Sequence, residues 1–190
     1  TDPHPMALAQ QRPVDVMRAR LDDGHRPYVA MRAGEIVAWG WVATVRAELG
    51  ELAFRFELPA GDRYLWNFVT APNVRGLGIY PRLLQAIVEM ESVEASRFWI
   101  VRAPENHASG NGIERAGFHR VATLSVDLDG RAAVGVLHGV GSRLATEGIA
   151  RRRRHVHFRA AHRRTLKALG NTASGVELKP FFMKVAKVHR

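Results

Sequence analysis

Between Leu65 and Leu84 the chain reads LWNFVTAPNVRGLGIYPRLL, and the chemistry it can do begins at Arg75, Gly76 and Gly78. Two glycines one residue apart let the backbone approach a ligand closely, and an amphipathic stretch starts directly after them. The first amides of a helix have no intrahelical acceptors and point outward as donors, beside the positive end of the helix dipole. Together these features describe a phosphate cradle. Spacing decides which kind. A dinucleotide fingerprint needs a third glycine where this chain has Pro81, and a P-loop needs Gly-Lys-Ser/Thr, whereas residues 1–141 contain no lysine.

The elements that must position the loop follow from periodicity. Tyr64–Thr70 alternates as a strand, with Tyr64, Trp66 and Phe68 on one face and Leu65, Asn67 and Val69 on the other. Both faces are mostly apolar, which predicts a central place in a sheet. After the glycines, Tyr80, Leu83, Leu84, Ile87 and Val88 recur at helical spacing, with Pro81 in the first turn, where a missing N–H costs least. Residues 97–103 read as a second buried strand, parallel to the first across the helix. A short helix weakened by Gly110 and Gly112 follows and stops at Ala116-Gly117.

Upstream, the spacing predicts one helix over 14–22 and a hairpin around Ala33-Gly34. The run 51–59 extends the preceding strand or forms a substrate-facing loop, and residues 1–5 carry no fold argument. Downstream, two strands flank Asp129-Gly130 as a hairpin. Residues 143–169 are expected to be helical. Residues 176–188 are expected to form a last strand that Pro180 splits or confines to an edge, or that pairs with another subunit in a homodimer.

With these elements in place the chain resembles the GNAT superfamily of acyl-CoA-dependent N-acyltransferases over roughly residues 14–140. Val74-Arg75-Gly76-Leu77-Gly78-Ile79 matches the Arg-Gly-x-Gly-Ile form of that family's pyrophosphate loop. Asn106, Ser109, Glu114, Arg115, Gly117 and Phe118 reproduce the order and spacing of its Asn-x-x-Ser to Gly-Phe segment. The resemblance implies an α/β (α+β) fold: a mixed, twisted sheet of about six to seven strands whose central parallel strands splay apart, with flanking helices. It implies that acetyl-CoA enters between those strands. The amides of Arg75, Gly76, Leu77, Gly78, Ile79 and Tyr80 would hold the pyrophosphate. Phe68, Val69 and Thr70 on one side, and Asn106 with Ser109 on the other, would flank the pantetheine arm.

Attack of an amine on a thioester needs a neutral amine, a stabilised oxyanion and an acid for the departing thiolate, the last being least demanding because a free thiol has a pKa of only ~8.5. Many relatives place a tyrosine four residues before the glycine of Gly-Phe; this chain has Ile113. Ser109, one helical turn after Asn106, is the first replacement, followed by Tyr80 and His107. Asp62 and Glu57 are the candidate bases, and Asn67 could orient an amine or a water without taking its proton. The runner-up function is a CoA-binding sensor or a nucleic-acid-associated module without catalysis.

Composition bounds the rest. With no cysteine, disulfides and thiolate metal sites are excluded, and no histidine grouping has metal-ligand spacing. The absence of a long apolar run argues against a membrane span, and a cytoplasmic location is expected. The net charge of +10 is unevenly distributed. Residues 1–141 hold 15 Arg against 16 Asp and Glu, whereas residues 142–190 hold 13 Lys and Arg against 2 acids. The expected organisation is therefore a catalytic body, 1–141, and a basic C-terminal extension, 142–190, able to attract nucleic acid or another polyanion.

Overall fold

The computed structural model of the chain describes residues 1–49, 54–126, 132–136 and 181–187. Two helices, α1 (His4–Gln10) and α2 (Val14–Asp22), precede the hairpin β1 (His25–Arg32) and β2 (Glu35–Ala43). A small ribbon of β3 (Arg46–Leu49) and β4 (Phe54–Glu57) leads into β5 (Asp62–Thr70), α3 (Ile79–Glu91), β6 (Arg97–Arg102) and α4 (His107–Arg115). The hairpin β7 (His119–Val126) and β8 (Ala132–Val136) follows, and β9 (Phe181–Lys187) ends the described chain. The seven-stranded sheet has the order β1-β2-β5-β6-β9-β7-β8.

Parallel pairing between β5 and β6 is confined to Asp62–Leu65 against Arg97–Ile100. Past Leu65, β5 runs on to Thr70 paired with β2, while past Ile100, β6 pairs with β9. The sheet therefore opens into a V at its centre, as the resemblance implies. Helices α3 and α4 close one face: Leu83, Leu84, Ile87, Ile113 and Phe118 pack on Ala38, Val42, Leu65, Phe98 and Ile100. The opposite face carries α1 and α2, whose Met6, Ala7 and Met17 cover Trp41 with Trp39 and Trp66 alongside. The β3–β4 ribbon continues that cover, placing Ala47, Leu49 and Phe56 over Tyr64 and Trp99.

Three expectations are corrected. Residues 4–10 form a helix where no structure is expected, and the run beginning at residue 51 contributes β4 to a separate ribbon rather than extending the preceding strand. The final strand begins just after Pro180 and lies inside the sheet, with β6 on one side and β7 on the other. From Phe182 to Val185 both of its edges are taken by its own chain. Residues 176–180 of the expected strand, with Pro180, lie outside the described residues. The expected helix over 143–169 and the Asp129-Gly130 turn lie outside the described residues, although β7 and β8 pair as that hairpin requires.

Candidate active site

The site is built where β5 departs from regular geometry. Trp41 pairs with Trp66 and Trp39 with Val69, so Asn67 and Phe68 together oppose Gly40 in a bulge. Asn67 takes φ +54°, a left-handed conformation that asparagine tolerates better than most residues. The bulge shifts the alternation by one. Phe68 joins Leu65 on the α3 face, correcting the expectation that it shares a face with Tyr64 and Trp66. Gly40 makes this possible, because a Cβ there would lie 2.1 Å from the Phe68 ring.

The cradle sits at the mouth of the V. Gly76 and Gly78 adopt φ +81° and +74°, and Gly78 stands at the N-cap of α3. A Cβ at either would meet no atom within 4 Å, so the loop faces open space that a phosphate group can enter. The first intrahelical bond is donated by Arg82 to Gly78 O, which leaves the Ile79 and Tyr80 amides without helical acceptors. The residues thus fit a CoA pyrophosphate. Arg75 is exposed and donates from Nε to the Thr70 carbonyl at 3.1 Å, tying the loop to the end of β5. Leu77 is exposed at the loop tip, Ile79 packs on the core, and Val69 is exposed beyond the bulge.

Phe68, Tyr80 and Ser109 meet across the V. The Phe68 and Tyr80 rings are 5.5 Å apart, and the Tyr80 hydroxyl lies 3.4 Å from Ser109 Oγ. Burial pushes the Tyr80 phenol up to about 12, against a smaller opposing effect of Ser109, so it keeps its proton at neutral pH. Gly112 is necessary here, since a Cβ would come within 2.5 Å of the Tyr80 ring. Asn106 caps α4, its Oδ1 accepting the Ser109 N–H at 3.1 Å. Arg102 folds over the same turn, donating to the Ala103 and Pro104 carbonyls at 2.9 and 2.7 Å. These bonds fix Ser109 relative to β6.

Other candidates are placed elsewhere. Ile113 is fully buried in the core between α3 and α4, with no polar function. Asp62 lies at the closed end of the V, five residues or ~16 Å of strand from Asn67. Its buried carboxylate accepts from Arg97 Nε and Trp99 Nε1, both at 2.8 Å. This makes it a clasp between β5 and β6. Glu57 ends β4 opposite Arg46, and His107 is exposed at the start of α4.

The structure also brings forward residues that the sequence does not single out. On the α1–α2 face, Asn67 Nδ2 donates to Gln10 Oε1, which also accepts from Arg20. Trp66 donates its indole N–H to His25 Nδ1 at 3.0 Å. Gln10 lies in the segment where no helix is expected. Arg20 carries only the weak signal of a cation beside the buried stripe of α2. Among the described residues no group of three or more His, Cys, Asp or Glu could hold a metal.

Comparison with known proteins follows this geometry. The Acetyltransferase (GNAT) family matches residues 2–118. No curated protein sequence matches the chain. An acetyltransferase from Bacillus subtilis solved with CoA superposes at TM-score 0.53 with 10% identity, over 92% of this chain and 84% of that one. The protein yncA of Salmonella typhimurium, solved with acetyl-CoA, gives 0.50 with 12% identity over 92% and 70%. Aminoglycoside acetyltransferase AAC(6')-Ib with coenzyme A is 25% identical over 73% of this chain and 75% of its own, at TM-score 0.49. The family match spans more than half of the sequence and includes the glycine loop, α4 and both strands of the V, so the chain belongs to the GNAT acetyltransferase family and is an acyltransferase.

Proposed function

We propose that the protein is an N-acetyltransferase that moves the acetyl group of acetyl-CoA to a primary amine by direct attack in a ternary complex. The observation that carries this reading is the V between β5 and β6, with the α3 cradle at its mouth and Tyr80 and Ser109 across it. The thioester would enter from the α3 side and the amine from the α1–α2 side, where Asn67 is exposed. Attack forms the C–N bond, the carbonyl electrons collapse back, and the C–S bond breaks to release CoA thiolate. With its pKa near 12, Tyr80 stabilises that thiolate by donating a hydrogen bond; full proton transfer to the thiolate of a thiol with pKa ~8.5 runs uphill by roughly 3.5 pK units. Since Asp62 is committed to Arg97 and Trp99, the ammonium gives one proton to solvent before attack, and the nitrogen gives its second to solvent as the tetrahedral intermediate collapses.

Calorimetric titration with acetyl-CoA and thiol release over an amine panel test the proposal. Absence of acetyl-CoA binding would sink it. Binding with no thiol release from any amine would favour the non-catalytic CoA sensor, a reading supported by the buried Ile113 at the family's usual tyrosine position. Two further parts of the proposal concern partners and place of action. The excess of cations after residue 141 supports contact with a polyanion, which a salt-dependent mobility shift with nucleic acid would test. Among the described residues no helix is long and apolar enough to cross a membrane, and action in the cytoplasm is testable by fractionation.

A further inference from the structure

Arg20 occupies an unusual position beside the acceptor side of the V. Its guanidinium carbon lies 5.1 Å from the Trp41 ring centroid and 4.7 Å from that of Trp66, the residue directly before the bulge. It is half-buried, and among the described residues no carboxylate pairs with it. Its one hydrogen bond among them runs from Nη1 to Gln10 Oε1 at 3.1 Å. The other charge acting on it is a cation, Arg12; burial first, and that like charge second, push the guanidinium below its ordinary range. An arginine fork matches a carboxylate bidentately, and this one instead lies on two indoles with a single hydrogen bond among the described residues.

The surroundings supply further donors. Gln10 Oε1 accepts from Arg20 at 3.1 Å and from Asn67 at 3.2 Å, so the two donor nitrogens lie within about 6 Å of each other. Both bonds fix the amide orientation, and Gln10 Nε2 is then a buried donor with no partner among the described residues. A buried N–H left unpaired costs about 1–3 kcal/mol, which an acceptor oxygen from a ligand would relieve. One cation with no counterion among the described residues, one amide donor with no partner among them and one exposed asparagine therefore converge beside the strand that borders the thioester channel. Their common complement is an oxyanion.

We propose, building on the acetyltransferase reading, that the acceptor carries an anionic group, carboxylate or phosphate, beside its reactive amine, and that Arg20 with Gln10 binds it. Arg20 is thus a specificity-determining residue. It selects acidic amines, such as amino acids, over neutral or polycationic ones.

The test uses matched pairs: β-alanine against β-alaninamide, and O-phosphoethanolamine against ethanolamine. Thiol release gives kcat/KM for each, and tryptophan fluorescence of the acetyl-CoA complex reads binding beside Trp41 and Trp66 without turnover. The expected result is a 10- to 100-fold preference for the anionic member of one pair, the range of a charge-assisted hydrogen bond. Arg20→Met should reduce that preference to within about threefold, mainly through KM, and Arg20→Lys should restore part of it. Acetyl-CoA affinity should not change, because Arg20 lies on the opposite face from the cradle. Which pair responds distinguishes carboxylate from phosphate. If the wild-type protein binds acetyl-CoA but neither rate nor fluorescence favours an anionic member, the proposal is overturned, and this needs no variant to fold. Loss of the preference in Arg20→Met together with lost acetyl-CoA binding would also count against it. Failure of the wild type to bind acetyl-CoA would instead remove the acetyltransferase reading on which it stands.

Discussion

The ring of Phe68 lies where a side chain on Gly40 would have to be, with its nearest carbon 2.1 Å from the position of a Cβ. The Asn67 bulge puts Phe68 over β2, and Phe68 in turn supports Tyr80. Gly40→Val should therefore displace Phe68 and, with it, the Tyr80 hydroxyl. A destabilisation of about 1–3 kcal/mol from overpacking is expected, with a larger relative loss in kcat than in acetyl-CoA affinity. Denaturant melts and steady-state rates check this, and an unchanged kcat would show that Phe68 does not set the position of Tyr80.

The cradle predicts a different pattern. Gly76→Ala and Gly78→Ala place a Cβ into open space but hold a left-handed backbone, at a cost of about 1–2 kcal/mol each. Gly78→Trp adds bulk at the mouth of the V and should abolish acetyl-CoA binding in a titration while leaving the far-ultraviolet circular dichroism spectrum intact. Retained affinity in Gly78→Trp would move the cofactor site elsewhere.

For Tyr80, removal of the hydroxyl in Tyr80→Phe should lower kcat about 10- to 100-fold with little change in KM for acetyl-CoA. Ser109→Ala should cost less, and the double variant should cost less than the product of the two, because they share one contact. The phenol keeps its proton until pH approaches 12, so the wild-type rate should show no falling limb from Tyr80 below that. The rising limb should follow the acceptor's own pKa, about 8 for an α-amino group and about 10 for an alkylamine. A limb fixed near pH 6 for every acceptor would reveal a protein base.

At the closed end, Glu91 is buried with Tyr28, Arg26 and Arg63 around it. Tyr28 Oη donates to it at 2.5 Å, Arg63 Nε at 2.6 Å and Arg26 Nη1 at 3.1 Å. Burial pushes its carboxyl up, but the hydrogen bonds from Tyr28, Arg63 and Arg26 together prevail and hold it below its usual range. Stability from this group is present above the unfolded pKa of about 4.3 and is lost as pH falls through the lower folded value. Glu91→Ala should cost about 3 kcal/mol, the lower end for a broken buried pair, because Arg63 loses its buried partner at Nε and keeps only the exposed Glu94 at Nη2. Melting midpoints measured between pH 3 and 7 should show a shallower acid slope in the variant.

His25 gives a second acid dependence. Desolvation, opposed by Asp23 and reinforced by Arg20 and Arg46, pushes its pKa down. Its Nδ1 accepts from Trp66, which protonation would forbid. The unfolded chain therefore binds this proton more readily: the contribution is complete above about pH 6.5 and falls as pH drops through the folded value. His25→Gln keeps an acceptor without titrating, so its melting midpoint should vary less between pH 5 and 7. Equal slopes would exclude His25 as the source.

The glycine loop and the helix after it were legible in the sequence because they rest on local rules. Gly76 and Gly78 permit left-handed turns, a helix always leaves its first amides free, and the period of Leu83, Leu84 and Ile87 commits that helix to one face of a sheet. Asn106 likewise caps α4 from three residues away, as its spacing suggests. Pairwise chemistry across the fold was not legible. Asp62 is a carboxylate near the expected place, yet only the register of β5 against β6 sets it on Arg97 and Trp99. Strict alternation put Phe68 on the wrong face because one left-handed residue, Asn67, inserts a bulge that no period-two pattern contains. Gln10, Arg20 and Asn67 are 10 and 47 residues apart, and only packing of α1 and α2 over the tryptophans brings them together. The sequence by itself determined the glycine loop, whose geometry is set by backbone freedom within a few residues; tertiary structure decided the α1–α2 side of the V, whose geometry is set by contacts between distant segments.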